Sequence, residues 1–160
     1  MRKIYIIFSL ILFTFASCKK EEPIYDVNQI QSTSYNANKD KLKSPAQYIS
    51  ILYANLFQQA LSANELVEIT RCIESIGDKE VAHEIILSNF MNKSGVTLPS
   101  DSLMRSDLNG FIEETYKRFY VRDITEAERE FFLNFFESHP DLTVEMVYYA
   151  FSLSNEYQFY

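Results

Sequence analysis

Residues 48–66 recur as residues 111–129, at an offset of 63, and the correspondence is ordered along the chain instead of being confined to one stretch. Tyr48-Ile49 answers to Phe111-Ile112, Tyr53 to Tyr116, Leu56-Phe57 to Phe119-Tyr120, and Ser62-x-x-Glu65 to Thr125-x-x-Glu128. Further on, Glu74-Ser75 answers to Glu137-Ser138, Asp78 to Asp141 and Val81 to Val144. Ser88-Asn89-Phe90 then returns, a few residues displaced, as Ser154-Asn155-Glu156-Tyr157. Any pair of amphipathic helices shares some of these features. The ordered series favours one supersecondary unit built twice over chance likeness, and both copies of its apolar stripe are expected to be buried.

Each unit is predicted to hold three helices. Ser44 is an N-cap, and Pro45 follows where a missing N–H leaves no hydrogen bond unmade. Tyr48, Ile49, Leu52, Tyr53, Leu56 and Phe57 then form one stripe at helical spacing. Ser62 and Thr125 each precede a glutamate by three residues, the spacing of a capping box that satisfies the free N–H groups of a following helix. Gly77-Asp78 and Pro140-Asp141 break and restart the chain before each third helix. Residues 93–105 carry Gly95, Pro99 and several serines and are expected to be a connector. With little period-two alternation anywhere, the expectation is one all-α domain over residues 45–160. It has about six helices in two degenerate three-helix repeats, about 45–93 and 106–160.

The start of the chain is of another kind. Arg2 and Lys3 give a positive n-region, residues 4–15 an apolar run, and Ala16-Ser17 the small residues a peptidase needs before Cys18. The run is shorter than the ~20 residues of a spanning helix. This arrangement resembles the lipobox of bacterial lipoproteins, which implies a signal peptide over residues 1–17 and lipidation of Cys18; ordinary secretion with Cys18 incidental is the alternative. Lys19-Lys20-Glu21-Glu22 is similar to the surface-export signal of Bacteroidetes lipoproteins, or is a plain charged juncture. The implied place is the cell envelope, lipid-anchored at the outer membrane and facing outward if the export signal operates. More than one acyl chain, at about 0.8 kcal/mol per buried methylene, makes such anchoring stable.

Residues 18–44 are rich in Lys, Asn, Gln and Ser, and are expected to be a flexible tether with a reach of about 25 to 30 Å. Charge divides tether from domain. Residues 19–44 hold five Lys against Glu21, Glu22, Asp26 and Asp40, whereas residues 45–160 hold 8 Lys and Arg against 18 Asp and Glu, a net charge of −10. Such a domain repels phosphate backbones and anionic headgroups, so no nucleic-acid partner is expected and membrane contact runs through the anchor.

The second unit carries a family resemblance: Phe111-Ile112-x-x-x-Tyr116-x-x-Phe119-Tyr120-x-Arg122-Asp123-x-Thr125-x-x-Glu128, then Phe131-Phe132, then Ser154-Asn155-Glu156-Tyr157. It is similar to the helical domain of unknown function, related to phycobilisome linkers, found in secreted bacterial proteins. The likeness covers residues 111–157, with an echo over 48–90. Val121 stands where glycine is common, Ile124 where proline is typical and Phe132 where tryptophan is frequent. The resemblance implies a structural motif: Arg122 bonding carbonyls or a carboxylate in the interhelical loop, Thr125 and Glu128 as a capping pair, and Tyr116 and Tyr157 packed in the core.

No catalytic, metal or cofactor constellation stands out. His83-Glu84-Ile85-Ile86-Leu87 begins like a zinc-protease motif and lacks the second histidine. Glu80-x-x-His83 has a di-iron spacing, but Thr143 and Met146 stand at the repeat positions, so a solvated helix face is expected. Glu113-Glu114 and Glu126, Glu128 and Glu130 offer paired carboxylates, whose helix-start places suit dipole complement. Cys72, among Ile69, Ile73 and Ile76, is expected to be a buried small hydrophobe. Fourteen of the 24 Phe and Tyr lie between Phe111 and Tyr160. Phe131, Phe132, Phe135 and Phe136 are expected to be core, while Tyr148, Tyr149, Tyr157, Phe159 and Tyr160 exceed what one core would hold and point to an exposed patch. The expected function is a non-enzymatic protein-binding or scaffolding module with an envelope or secreted partner. A small-ligand or glycan carrier with an aromatic groove between the units is the alternative, and a hydrolase using acidic residues the third.

Overall fold

A computed structural model describes residues 39–160. Among these residues the regular structure is helical, as the repeat requires: α1 Pro45–Phe57, α2 Ala63–Ser75, α3 Lys79–Met91, α4 Asp101–Ser106, α5 Leu108–Tyr120, α6 Glu126–Ser138 and α7 Val144–Leu153, followed by a 3-10 turn at Glu156–Gln158. The 63-residue offset holds to the residue for α1 against α5 and for α2 against α6. The six expected helices are present. A seventh, α4, lies in the stretch expected to be a plain connector, where Met104 is its one buried side chain.

The caps explain where the helices begin. Ser44 Oγ accepts from the Gln47 amide at 3.3 Å while Gln47 Oε1 accepts from the Ser44 amide at 2.9 Å, a reciprocal capping box around Pro45. Thr125 and Glu128 form the same box at α6. Asp107 caps α5 by accepting from the Gly110 amide at 2.9 Å, and a β-carbon at Gly110 would run into the Asp107 carboxylate. Both first helices also end alike. Gln58 and Val121, at equivalent positions, take the left-handed conformation with φ of 55° and 53°. That region suits glycine and disfavours a β-branched side chain.

One core joins the units. The expected α1 stripe is buried throughout, as are Ile112, Tyr116, Phe119 and Tyr120 of α5. The second helices are peripheral. Each buries fully one side chain, Ile73 on α2 and Phe136 on α6, which are equivalent in the repeat. Equivalent parts also meet across the units: α3 packs on α7, and Arg118 donates to the carbonyl of Asn55, the residue 63 positions earlier, at 2.7 Å.

Three expectations are corrected here. Cys72 is exposed, because α2 turns only its Ile73 edge fully into the core. Of the four α6 phenylalanines, Phe136 is buried and Phe132 half-buried, whereas Phe131 and Phe135 are 61% and 37% exposed. The C-terminal aromatics form no exposed tyrosine patch: Tyr148 and Tyr157 are core, with Tyr149, Phe159 and Tyr160 half-buried.

Residues 39–44, the end of the expected tether, lie against the C-terminus. Leu42 and Phe159 form an isolated antiparallel bridge, the Lys43 amide donates to Gln158 O at 2.9 Å, and the Tyr160 amide donates to Lys41 O at 2.8 Å.

The left-handed valine is a stored strain of about 1 to 2 kcal/mol for a residue with a β-carbon. Val121→Gly relieves it at a half-exposed site and is expected to raise Tm by about 3 °C. Thermal unfolding followed by circular dichroism reads the effect, and a lowered Tm contradicts it.

Candidate functional site

Where α5 turns into α6, the left-handed Val121 releases the chain so that the next side chain, Arg122, points back over the end of α5. Its guanidinium lies 4.8 Å from the Tyr116 ring centre and 5.7 Å from that of Tyr120. From there it grips two carboxylates. Nε and Nη2 donate to Glu156 at 2.6 and 2.8 Å, and Nη1 and Nη2 donate to Glu128 at 3.0 and 2.7 Å. Nη1 also reaches the Asp123 carbonyl at 3.0 Å. Two bidentate pairs on one guanidinium match its planar fork of donors.

Glu128 does double duty, since Oε2 also accepts from the Thr125 amide at 2.9 Å and its hydroxyl at 2.7 Å. Its hydrogen bonds to Arg122 are the main cause that outweighs partial desolvation and holds its pKa down at about 2. For Glu156, desolvation is the largest influence and pushes upward. The hydrogen bonds and charges of Arg122 and Lys39 together prevail and keep it below the usual carboxylate range. Lys39 Nζ stands 3.5 Å from Glu156. Burial, with a lesser contribution from Glu128, raises the Tyr116 hydroxyl well above the ordinary phenol range. Burial likewise lifts Tyr120 to about 12.

Four of the residues singled out from sequence, Tyr116, Arg122, Thr125 and Glu128, therefore sit together in one clamp. Tyr157, the fifth, lies beside it in the core, edge-on to Tyr48 and Phe119, with its hydroxyl accepting from Asn55 Nδ2 at 3.0 Å. Glu156 was missed, although it stands in the same motif as Tyr157. The first unit has no such clamp. Gln59 replaces the arginine, and Glu65 instead meets Lys93 at 3.3 Å, half-exposed.

Three other cations were not legible in the sequence. Arg118 donates to Asn55 O, to the Tyr148 hydroxyl at 2.9 Å and to Thr97 O at 3.1 Å, tying the first unit and the connector to the second. Lys79 and Arg105 serve as a matched pair. Lys79 donates to the carbonyls of Ile73 and Ile76 at 2.8 and 2.7 Å, and Arg105 to those of the equivalent Phe136 and His139 at 3.3 and 3.2 Å. Each closes the C-terminus of a second helix, where free carbonyls and the helix dipole favour a cation.

Two clefts flank this framework. One, of about 450 Å³, is lined by Lys43, Lys79, Glu80, His83 and Glu84 among others. His83 was expected on a solvated face; it is half-buried, its ring stacked on Tyr48 at 3.9 Å, and desolvation followed by the Lys79 charge lowers its pKa. Lys43 donates to the Tyr157 carbonyl, and burial, then the charge of Lys39, bring its pKa down to about 8. The second cleft, of about 550 Å³, lies between the connector and the second unit and includes Phe111, Met104, Arg118 and Tyr148.

Among the described residues no three His, Cys, Asp or Glu side chains are placed to hold a metal ion, and no helix is long and apolar enough to cross a membrane. Of the carboxylates weighed for hydrolysis, Glu113 and Glu126 meet Arg129 at 2.8 and 3.6 Å, Glu114 meets Lys117 at 3.5 Å and Glu128 is held in the clamp, while Glu130 has no ion pair among the described residues. Cys18, Lys19, Lys20, Glu21 and Glu22 lie outside the described residues. Compared with protein-family models, with curated proteins and with solved structures, the chain gives no match.

The clamp makes a pH prediction. Both carboxylates titrate lower folded than the ~4.3 of an unfolded glutamate. Their stabilisation is therefore complete above about pH 5 and is lost as the pH falls toward 2. Arg122→Met leaves two carboxylates without their cation and is expected to cost about 2 kcal/mol at pH 7, between the surface and buried limits. Melting curves of both chains should converge as the pH approaches 2. An equal gap at pH 7 and pH 2 contradicts the assignment.

Proposed function

We propose that the protein is a lipid-anchored envelope protein whose helical domain binds and holds another envelope or secreted protein, without transforming it chemically. The observation that carries this is the seam between the incoming chain and the C-terminus. Residues 41–43 pair with residues 158–160, and Lys39 meets Glu156. A chain arriving from an anchored Cys18 thus enters a rigid domain at one fixed pole, which suits presenting a surface in a defined orientation. The acidic charge of the domain supports contact with a membrane through the anchor and not through the headgroups. Lys19-Lys20-Glu21-Glu22 agrees with outward display.

The alternative, a small-ligand or glycan carrier, draws support from the cleft beside Phe111 and Tyr148, whose rings are nearly parallel at 6.1 Å. That cleft adjoins the connector, so it differs from a groove between the two units.

Anchoring is tested by Cys18→Ala, which is expected to move the protein from the membrane to the soluble fraction; unchanged sedimentation contradicts it. Mild crosslinking of cells bearing the native chain should then capture a discrete protein partner. A small molecule recovered with the chain, and no protein, favours the carrier.

A further inference from the structure

The outer face of α6 carries aromatic groups that the fold does not require. Phe131 and Phe135 stack at 5.9 Å with planes 14° apart, and His139 continues the ladder 4.2 Å beyond Phe135. These are residues i, i+4 and i+8 of one helical edge, and Phe131 is 61% exposed. The duplication supplies an internal control. The equivalents of Phe131 and Phe135 on α2, in the same helix of the same unit, are Glu68 and Cys72, both exposed. A helix in this place folds with no large apolar side chain at these two positions, so the exposed surface of Phe131, and the smaller exposed part of Phe135, exceed what the shared fold requires. Large apolar groups held in water at neighbouring positions mark contact surfaces.

Charge identifies what fits there. By helical geometry Ala127, Asn134 and Ser138 occupy the middle of the exposed face and Glu130 and Glu137 its far margin, across from the ladder. Neither Glu130 nor Glu137 has an ion-pair partner among the described residues, in contrast to Glu113, Glu126 and Glu128. The face therefore offers exposed ring surfaces along one side and unpaired carboxylates along the other, with small side chains between. Ring faces and carboxylates both attract cations, and the guanidinium of arginine stacks on the first while pairing with the second. A second copy of this chain would bring Glu130 and Glu137 against like charges in a domain of net charge −10.

We infer that the Phe131–Phe135–His139 edge of α6, with Glu130 and Glu137 opposite, is the docking face for a basic, arginine-bearing segment of a partner protein. The arginines lie over the phenylalanine rings and reach the carboxylates, and the apolar side chains of the segment cover Ala127 and the ring edges. This rests on the protein-binding function proposed above and names the chemistry of its partner.

The test uses the full chain in detergent micelles. It contains no tryptophan, so a helical peptide with arginine and leucine at i, i+4 spacing and one tryptophan can be followed by its own fluorescence anisotropy. Binding is expected with the native chain, weakened at least about tenfold by Phe131→Ala/Phe135→Ala and weakened also by Glu130→Gln/Glu137→Gln. The Glu130→Gln/Glu137→Gln variant should melt as the native chain does, whereas the double-alanine variant, which loses the 37% exposed Phe135, should melt lower yet stay folded at the assay temperature, as circular dichroism checks. A peptide with glutamate in place of arginine should not bind. Equal binding by the native and double-alanine chains would mean diffuse attraction to an acidic protein and overturns the inference, as does no binding to the native chain. A concentration-dependent dimer abolished by the double-alanine change assigns the face to a second copy and also overturns it. Crosslinking separates the two levels. A partner captured equally by both chains leaves the binding function standing and removes this face, whereas peptide binding at the face with no captured partner does the reverse.

Discussion

The grip of Arg122 on Glu128 and Glu156 is the contact on which the second half of the molecule depends. One guanidinium fixes the left-handed turn after α5, the capping box that starts α6 and the 3-10 turn that ends the chain. Through Glu156 it also reaches Lys39, and so the chain's entry into the domain. An arginine with a fifth of its side chain exposed is dry enough for its charge to count and wet enough to avoid the full desolvation cost of burial. The planar fork does what a lysine cannot, since it holds both carboxylates bidentately.

Duplication explains much of the remainder. Each unit sets a first helix deep in the core, ends it in a left-handed residue, and lays a second helix across it with one fully buried side chain, Ile73 or Phe136, and a partly buried apolar edge. Each unit also supplies a cation to the terminal carbonyls of that helix, Lys79 in one and Arg105 in the other. The copies then diverged where they face solvent. The first has a half-exposed lysine pair at Glu65, while the second has the arginine clamp and the phenylalanine ladder. That asymmetry sets the clamp and the ladder, found in one unit, apart from the scaffold that both units share.

The repeat made the helices legible because N-caps and apolar stripes are local signals, and the boundaries at Ser44, Ser62 and Thr125 follow from side-chain chemistry alone. The clamp was legible in part, since Arg122, Thr125 and Glu128 are close in the chain, while Glu156 joins them from 34 residues away. Arg118 and Arg105 bind backbone carbonyls, which have no side-chain identity to mark them in a sequence. Helix α4 escaped notice because six residues with one buried methionine show no period. Cys72 and the α6 phenylalanines were misplaced for a common reason. Periodicity says that a helix has an apolar side, but not that the helix lies at the margin, where only a narrow edge is covered. Setting Phe131 against the charged Glu68 at its repeat position points to an exposed site.

The central claim is that the clamp couples the α5–α6 turn, the C-terminal turn and the entering segment at residues 39–43 into one cooperative unit. Native-state hydrogen exchange of the amides of Tyr160 and Lys43, which donate to Lys41 O and Gln158 O, measures this directly. In the native chain both should exchange at a rate close to that of the α7 interior. In Arg122→Met both should lose protection, while amides inside α1 and α3 keep more of theirs. Protection at Tyr160 and Lys43 unchanged by the loss of Arg122, or absent from the native chain, would contradict the account.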